Sequence, residues 1–299
     1  MSPDDRALPT PLFASCSAST YNTTFKEDIE NYQAADIRGM GIWEYKLPFD
    51  DISEAVEQFQ GGGLTATFCF PAVPGIFPAP GLFPEPVDPG DRLALLNEGI
   101  RRLARFSPVS VAVLPGAPGA LDPEEARAQS VSSLREAAFT AGEEGVRLAL
   151  EIIRPRPDGT GFARTIPEGL ELIADTGADN IDLMVDSWHV WDYPGSADDI
   201  RTYGHTISSV QVNDWKPGSQ GWWDRAIPGE GEMDLVSLLQ ALRDAGYDGW
   251  YELEVFSDDG TFGRDLGERS LWHLDPVELL RRSRVGFEEL WNRLEANHE

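Results

Sequence analysis

Short apolar runs alternate with amphipathic stretches along the whole chain. The first run, LFASCSAS (12–19), precedes the helical pattern TFKEDIENYQAAD (24–36), and the last, GWYELEVF (249–256), precedes a helical stretch from 275 to 298. Apolar runs bounded by turn residues are typical of buried strands, and their alternation with helical patterns is typical of βα units. Six further predicted strands cover 39–47, 64–73, 109–116, 146–153, 180–188 and 207–215. Eight strand-then-helix units with no break in composition predict a single (β/α)8 barrel over residues 1–299.

Residues that begin and end helices support these boundaries. Asp122 followed by Pro123 predicts a helix start, and GGG at 61–63 predicts a helix end before the third strand. Two long loops, at 74–88 and 215–231, follow the third and seventh predicted strands. Because the active sites of such barrels lie at the carboxyl ends of the strands, we expect both loops on the catalytic face.

Composition narrows the class of protein. The 299 residues are 41% hydrophobic, which is enough apolar material for a large packed core. The formal net charge of −27 argues against nucleic acid or an anionic membrane as a partner, because both need a basic face. Cys16 and Cys69 lie in apolar runs, which favours reduced thiols over a disulfide. No signal-peptide pattern or membrane-spanning run is present, so we expect a cytoplasmic protein.

Four oxygen-bearing side chains lie near the ends of four consecutive predicted strands. They are Glu151, Asp186, Gln211 and Glu254, each embedded in an apolar run. A single buried carboxylate is best explained by a salt bridge, because an unpaired buried charge is costly. Four such residues on successive strands converge at the barrel mouth and favour a metal site instead. Carboxylate and amide oxygens suit a hard divalent ion, with Mn²⁺ expected first and Mg²⁺ or Co²⁺ as alternatives.

The segments that carry these residues resemble a known family. LALEIIRP, LMVDSWHVW, VQVND and YDGWYELEVF look like the metal-site segments of the xylose-isomerase-like sugar isomerase and epimerase barrels. The resemblance implies that Glu151, Asp186, Gln211 and Glu254 are the metal ligands. It also implies that Glu151 and Glu254 form a catalytic acid/base pair, and that His189 acts on the substrate side. RAIPGEG resembles the loop in which an arginine of the family contacts substrate hydroxyls, which assigns that role to Arg225.

Two positions depart from the family pattern. Many of the isomerases have histidine where this chain has Gln211, and a neutral amide ligand at that position resembles the dehydroshikimate dehydratases, which favours elimination. Several epimerases have a further glutamate about six residues after the first ligand, where this chain has Pro157. Arg154 and Arg156 lie beside it and are candidates for binding a substrate oxygen, or for surface ion pairs in so acidic a protein.

Other residues near the predicted mouth have two interpretations each. Glu44 and Lys46 either contact substrate or form an internal ion pair, and Trp188 is expected to wall the site and bind substrate. The loops that contain PGIFPAPGLFPEP and Trp222–Trp223 either cover an aryl-bearing substrate or form a lid or a homodimer contact. Glu252 faces inward one layer below Glu254, so we expect it to have a structural partner.

The expected function follows from these groups. A divalent ion polarises a carbonyl, and a carboxylate then removes the neighbouring proton as general base. We therefore expect a metal-dependent sugar isomerase or epimerase that acts on a neutral keto-sugar or polyol ketone. The alternative is a lyase of the same superfamily: a dehydratase, or a C-glycoside deglycosidase that acts by β-elimination on 3-keto glycosides. The resemblance implies a small partner subunit for that lyase, and a homo-oligomer is a further possibility.

Overall fold

The computed structural model describes residues 11–79, 83–154, 163 and 165–296. The strands are β1 Leu12–Cys16, β2 Gly39–Gly41, β3 Thr65–Ala66, β4 Phe68–Cys69, β5 Ser110–Val113, β6 Leu148–Glu151, β7 Ile181–Asp186, β8 Ile207–Val212 and β9 Trp250–Leu253. The helices are α1 Phe25–Ala34, α2 Ser53–Gly62, α3 Pro89–Ala104, α4 Pro123–Glu143, α5 Ile166–Thr176, α6 Ser187–Val190, α7 Ser196–Tyr203, α8 Leu235–Asp244 and α9 Pro276–Ala296.

The strands form one parallel ring. Their order is β3-β2-β1-β9-β8-β7-β6-β5-β4, and every pair of neighbours is parallel. Only Thr67 separates β3 from β4, so the third predicted strand is one interrupted strand that closes the ring. The fifth to eighth predicted strands are therefore β6 to β9, and the predicted (β/α)8 barrel is confirmed.

Local signals explain where several helices begin and end. The Asp122 carboxylate caps α4 by accepting from the backbone N–H of Glu124, with Pro123 in the first turn. Gly63 ends α2 at a φ of 66°, a left-handed conformation that favours glycine. The second strand is shorter than the predicted 39–47, because regular pairing ends at Gly41, a single bridge joins Trp43 to Phe70, and a 3₁₀ turn follows at Glu44–Lys46.

Polar side chains fill part of the barrel interior below its mouth. Glu252 is fully buried and accepts hydrogen bonds from the Thr67 hydroxyl, the Phe68 N–H and the Gln211 amide. Burial raises the pKa of Glu252 to about 8. The structural partner expected for Glu252 is thus present, and this layer supports the side chains above it.

The thiols and the helices agree with two further predictions. Cys16 and Cys69 are both buried and free, as the sequence predicted. Among the helices of the described residues, none has the length and apolar character needed to cross a bilayer.

Candidate active site and metal centre

The four predicted ligands meet at one end of the barrel. Glu151 and Asp186 are the last residues of β6 and β7, Gln211 lies near the end of β8, and Glu254 directly follows β9. Asp186 pairs in register with Gln211, and Gln211 pairs with Glu252, so these positions lie side by side around the ring. All four ligand side chains are buried.

A short helix brings the histidine into this group. The Asp186 carboxylate caps α6 by accepting from the backbone N–H of Trp188 at 3.0 Å, so the chain turns as soon as β7 ends. That turn places Nε2 of His189 3.4 Å from Oε1 of Glu151 and 3.8 Å from Oδ2 of Asp186. Glu151, Asp186 and His189 each offer one ligand atom, and these atoms lie within 4.8 Å of one another. The tightest potential metal group therefore includes the histidine that the sequence placed on the substrate side.

Arg225 joins two of the carboxylates. Its Nη1 donates to Oδ2 of Asp186 at 2.8 Å and to Oε2 of Glu254 at 2.9 Å. The guanidinium carbon lies 5.2 Å from the ring centre of Trp188 and 4.6 Å from that of Phe256. Burial opposes the charged form, but Asp186 and Glu254 raise the pKa of Arg225 above its ordinary value. A permanent positive charge is therefore fixed beside the ligand group.

Gln211 is oriented by the layer below. Its Nε2 donates to Oε1 of Glu252 and Oε1 of Glu254, each at 3.1 Å. Its Oε1 is buried and has no hydrogen-bond partner among the described residues. A buried amide oxygen without a donor is costly, and a cation is one partner that satisfies it.

The carboxylates outnumber the buried cations at this site. Burial, followed by the charges of Glu254 and Asp186, raises the pKa of Glu151 well above its ordinary value. Burial raises the pKa of Glu254 to about 7, although Arg225 opposes this rise. Three buried carboxylates thus face one guanidinium, and a divalent cation would compensate the remaining charge. The donor set and the orphaned oxygen of Gln211 fit such an ion.

The space at the centre is small and closed by aromatic rings. A cavity of about 20 Å³ is bounded by Glu151, His189, Arg225 and Glu254, and a water or an ion fits this volume, whereas a sugar does not. The remaining lining residues are Trp43, Phe70, Phe83, Leu114, Trp222 and Phe256. Phe83 and Trp222 are only half-buried, so they are the rings best able to move aside for a substrate.

A larger cleft than this cavity lies elsewhere on the described surface. It measures about 720 Å³ and is lined by residues such as Arg135, Phe139 and Asp179, near the ends of α4 and α5. The strands β6 and β7 begin beside this cleft, so it lies on the face of the barrel opposite to the carboxylates. We place the site at the carboxylates because buried ligands converge there and active sites of this fold lie at that face.

Two predicted substrate-binding residues are not brought to the centre. Oε1 of Glu44 accepts from Nε of Arg102 at 2.6 Å, and its Oε2 accepts from the N–H of Ala72 at 2.8 Å, so the 3₁₀ turn directs it towards α3. Arg154 pairs with Asp192 at 2.6 Å near the surface. The predicted substrate roles of both residues are therefore not supported by their positions. Arg156 lies outside the described residues.

The predicted ion pair between Glu44 and Lys46, and the predicted place of Trp188 in the wall of the site, also need correction. Lys46 pairs with the buried Asp28 at 2.7 Å, so it has no ion pair with Glu44. Trp188 is buried in the core and stacks on Arg225, which makes it a support for the arginine and not part of the cavity lining. Trp222, whose ring centre lies 4.7 Å from that of His189, lines the cavity instead.

Sequence reasoning missed two residues that touch the ligands. Nδ2 of Asn213 donates to Oδ1 of Asp186 at 2.7 Å, and Sγ of Cys16 lies 3.8 Å from Oε1 of Glu254. Alternation along β8 contains the signal for Asn213, because residues two apart share a face with Gln211. Cys16 ends β1, and the strand-end rule that found the other ligands applies to it as well.

A parallel barrel with buried carboxylates at its strand ends defines the class: an α/β barrel with an acidic centre at the catalytic face. Residues 30–282 match the family described as xylose isomerase-like TIM barrel, and the chain belongs to that family.

Individual relatives are distant. The chain is 29% identical to D-psicose 3-epimerase of Enterocloster bolteae over 147 residues, which are 48% of this chain and 46% of that enzyme. The matched stretch thus spans about half the length of that relative. It is 25% identical to 2-oxo-tetronate isomerase of Cupriavidus necator over 260 residues, 84% of this chain and 95% of the relative. A crystal structure of an IolI protein with bound zinc has the same fold, with a TM-score of 0.74, 19% identity and coverage of 94% of this chain and 98% of that one.

Proposed function

We propose that this protein is a divalent-metal-dependent sugar isomerase or epimerase that removes a proton next to the carbonyl of a neutral keto-sugar. The observation that carries the proposal is the buried group of Glu151, Asp186, His189 and Glu254 at the ends of β6, β7 and β9. The names of the relatives, a D-psicose 3-epimerase and a 2-oxo-tetronate isomerase, agree with proton removal next to a carbonyl.

The proposed metal site uses four oxygen donors. Glu151, Asp186, Gln211 through its Oε1, and Glu254 would hold the ion, and we propose Mn²⁺ first because this oxygen set suits a hard divalent ion. When bound, the ion supplies Lewis-acid polarisation of the substrate carbonyl, which acidifies the neighbouring C–H.

Two glutamates are placed to move the proton. Glu151 and Glu254 come from strands three places apart in the ring, on either side of Asp186 and Gln211. Glu254 is a buried carboxylate, and a carboxylate within reach of the reacting carbon can both accept a proton and return it. We propose that Glu254 and Glu151 exchange the roles of base and acid.

Arg225 and His189 have supporting roles in this proposal. Arg225 fixes the position of Glu254 and Asp186 through one nitrogen, and its charge favours a negatively charged substrate oxygen nearby. His189 lines the cavity and presents Nε2 towards Glu151, within reach of a substrate hydroxyl. The surrounding rings exclude water from the reacting carbon.

The lyase alternative has less support than the isomerase or epimerase. Its support is Gln211 in place of histidine, and neither of the named sugar relatives is a lyase. The same residues serve both outcomes, because loss of a β-substituent also begins with removal of a proton next to the carbonyl. We therefore keep elimination as an outcome that the experiment below detects.

The test follows deuterium from solvent into the sugar. Protein loaded with Mn²⁺, Mg²⁺, Co²⁺ or Zn²⁺ is incubated in D₂O with ketoses, inososes, dehydroshikimate and 3-keto glycosides, and proton NMR is recorded after the metal is removed. Deuterium next to the carbonyl of an isomeric sugar is expected, whereas released water or aglycone would identify a lyase.

Two matched variants sharpen the test. Glu254→Gln is expected to slow exchange by roughly 10²–10⁴-fold, the range for a positioned acid or base. Glu44→Gln makes the same change at a carboxylate that faces α3, and exchange is expected to stay near the unmodified rate. Exchange that Glu254→Gln leaves intact, or its absence with every substrate in protein shown to hold metal, would refute the proposal.

A further inference from the structure

A second cavity adjoins the small one at the carboxylates. It measures about 280 Å³ and shares three walls, Trp43, Phe83 and Phe256, with the cavity that contains Glu254. Its other lining residues are Ala18, Tyr21, Tyr45, Ala72, Trp223 and Phe262. The two spaces are therefore neighbours on the same face of the barrel.

The walls of this second cavity are held by ring-on-ring packing. Trp223 and Phe262 stack with ring centres 4.0 Å apart and planes within 9°. The ring centre of Phe256 lies 5.1 Å from that of Trp223 and 5.6 Å from that of Trp43, both in edge-to-face arrangements, and the ring centres of Tyr21 and Phe262 are 5.2 Å apart. Aromatic rings in such arrangements form stiff, apolar surfaces.

The chemistry of the lining differs from that of the centre. The nine described residues that line the second cavity include no Asp, Glu, Lys, Arg, Asn or Gln side chain. Polar atoms on these side chains are limited to two tyrosine hydroxyls and two indole N–H groups. Nε1 of Trp43 is buried without a hydrogen-bond partner among the described residues. A second sugar ring would leave most of its hydroxyls unpaired here, which is costly, whereas an apolar ring would not.

The volume suits one aromatic ring. A dry engineered cavity of about 150 Å³ accepts benzene, so 280 Å³ leaves room for a six-membered ring and the atoms that link it to a sugar. Tyr45 is 40% exposed and Phe262 is 37% exposed, so the cavity opens to solvent beyond the ring.

We infer that this cavity binds a planar apolar substituent, an aryl group, carried by the keto-sugar whose carbonyl lies at the carboxylate centre. The inference rests on the proposed function for the location of the sugar and extends it to the class of substrate. Aryl-bearing keto-sugars are then preferred over free ketoses.

Binding without turnover tests this inference. Isothermal titration of the metal-loaded protein with methyl β-D-glucoside, phenyl β-D-glucoside and a glucose disaccharide compares three substituents on one sugar that lacks a carbonyl. The phenyl glycoside is expected to bind at least tenfold more tightly than the other two, which corresponds to about 1.4 kcal/mol.

Filling the cavity gives the matched variants. Ala72 is exposed and lines the cavity, so Ala72→Phe is expected to abolish the phenyl preference, while Val73→Phe puts the same ring in the neighbouring cleft and keeps it. Phe262→Ala removes one wall and is expected to reduce the preference at least threefold, which provides a second readout. Equal binding of the phenyl and methyl glycosides, disaccharide binding as tight as phenyl, or a preference that survives Ala72→Phe would overturn the inference.

Deuterium exchange with free ketoses distinguishes failure of the proposed function from failure of the aryl-binding inference. If the unmodified protein and Val73→Phe exchange a free ketose while the phenyl preference is lost in Ala72→Phe, both ideas are supported. If exchange is absent in every form of the protein, the proposed function fails, and the phenyl preference still decides what the cavity binds.

Discussion

The mouth of the barrel has two unlike halves. The acidic half consists of Glu151, Asp186, Gln211 and Glu254, from β6 to β9, with Arg225 among them. The aromatic half consists of Tyr21, Trp43, Phe83, Trp223 and Phe262, from the loops that follow β1, β2, β4, β8 and β9. Phe256 belongs to both, because it stacks on Arg225 and packs against Trp223.

The difference separates reaction from recognition. Buried like charges destabilise the acidic half in the absence of a cation, and the raised pKa values of Glu151 and Glu254 record that cost. The aromatic half buries rings against rings and stabilises the fold through apolar contact. We expect substitutions in the first half to change metal binding and rate, and substitutions in the second to change stability and substrate preference.

The largest expected effect breaks the acidic half. Asp186→Asn removes the charge that Arg225 and the proposed ion share, so metal affinity should fall by at least about 100-fold, since outer partners of ligands alone contribute roughly 10–100-fold. Isothermal titration with Mn²⁺ measures it. The control is Asp182→Asn on the same strand, where the side chain pairs with Arg147 near the surface. Unchanged affinity in Asp186→Asn would remove this residue from the metal site.

The next effect breaks the aromatic half. Phe256→Ala should lower the free energy of unfolding by about 3–5 kcal/mol, because it removes a buried ring between Trp223 and Arg225. Urea unfolding followed by tryptophan fluorescence measures the change. Phe256→Leu preserves most of the volume and should cost clearly less. A loss below about 1 kcal/mol in Phe256→Ala would show that this ring does not hold the two halves together.

A smaller effect comes from pH in the metal-free protein. The pKa of Glu252 is raised from an ordinary 4.5 to about 8, and that of Glu254 from 4.5 to about 7. Above pH 4.5 and up to these raised values, the folded state therefore binds more protons than the unfolded state. Their contribution to stability is complete below pH 4.5 and is lost as pH rises through 7 and 8. The free energy of unfolding should fall by up to about 1.4 kcal/mol per pH unit for each proton.

Urea titrations at pH 5 and pH 8 with a chelator check this sign. Glu252→Gln removes one of the contributing titrations and should flatten the slope. Metal-free protein that is as stable at pH 8 as at pH 5 would contradict the raised pKa values.

The smallest effect concerns the border of the acidic half. Arg154 pairs with Asp192 while remaining partly exposed, so Arg154→Ala should change the free energy of unfolding by less than about 1 kcal/mol. The KM for any substrate found by the exchange assay should stay within twofold. A KM that rises tenfold or more would restore the substrate role that the sequence predicted for Arg154.

The acidic half was predictable because each proposed ligand lies at or near the end of its strand. Glu151, Asp186 and Glu254 interrupt apolar runs, and parallel strands of a barrel bring such ends together whatever the helices do. Glu44 failed the same rule because β2 ends at Gly41, and the following turn directs the carboxylate outward to Arg102, 58 residues later. No local pattern reports a partner so distant in the sequence.

The aromatic cavity was less predictable for the same reason. Tyr21, Trp43, Phe83, Trp223 and Phe262 lie on separate segments, and their contacts depend on how five loops fold over one mouth. The sequence indicated apolar loops at 74–88 and 215–231 without indicating that their rings pack together. Periodicity describes one element at a time, whereas a cavity is a property of several.

Asp214 holds the base of the 215–231 loop, and this affects which substitutions the loop tolerates. The buried Asp214 carboxylate accepts from the backbone N–H groups of Trp215, Gly229, Gly231 and Met233. Main-chain donors are supplied by every residue except proline, so the anchor is indifferent to most side chains between its two ends. Gly231 is an exception, because a Cβ there would lie 2.3 Å from Oδ1 of Asp214. Natural or engineered substitutions in the middle of this loop can therefore change its sequence while the hydrogen bonds to Asp214 hold its two ends in place.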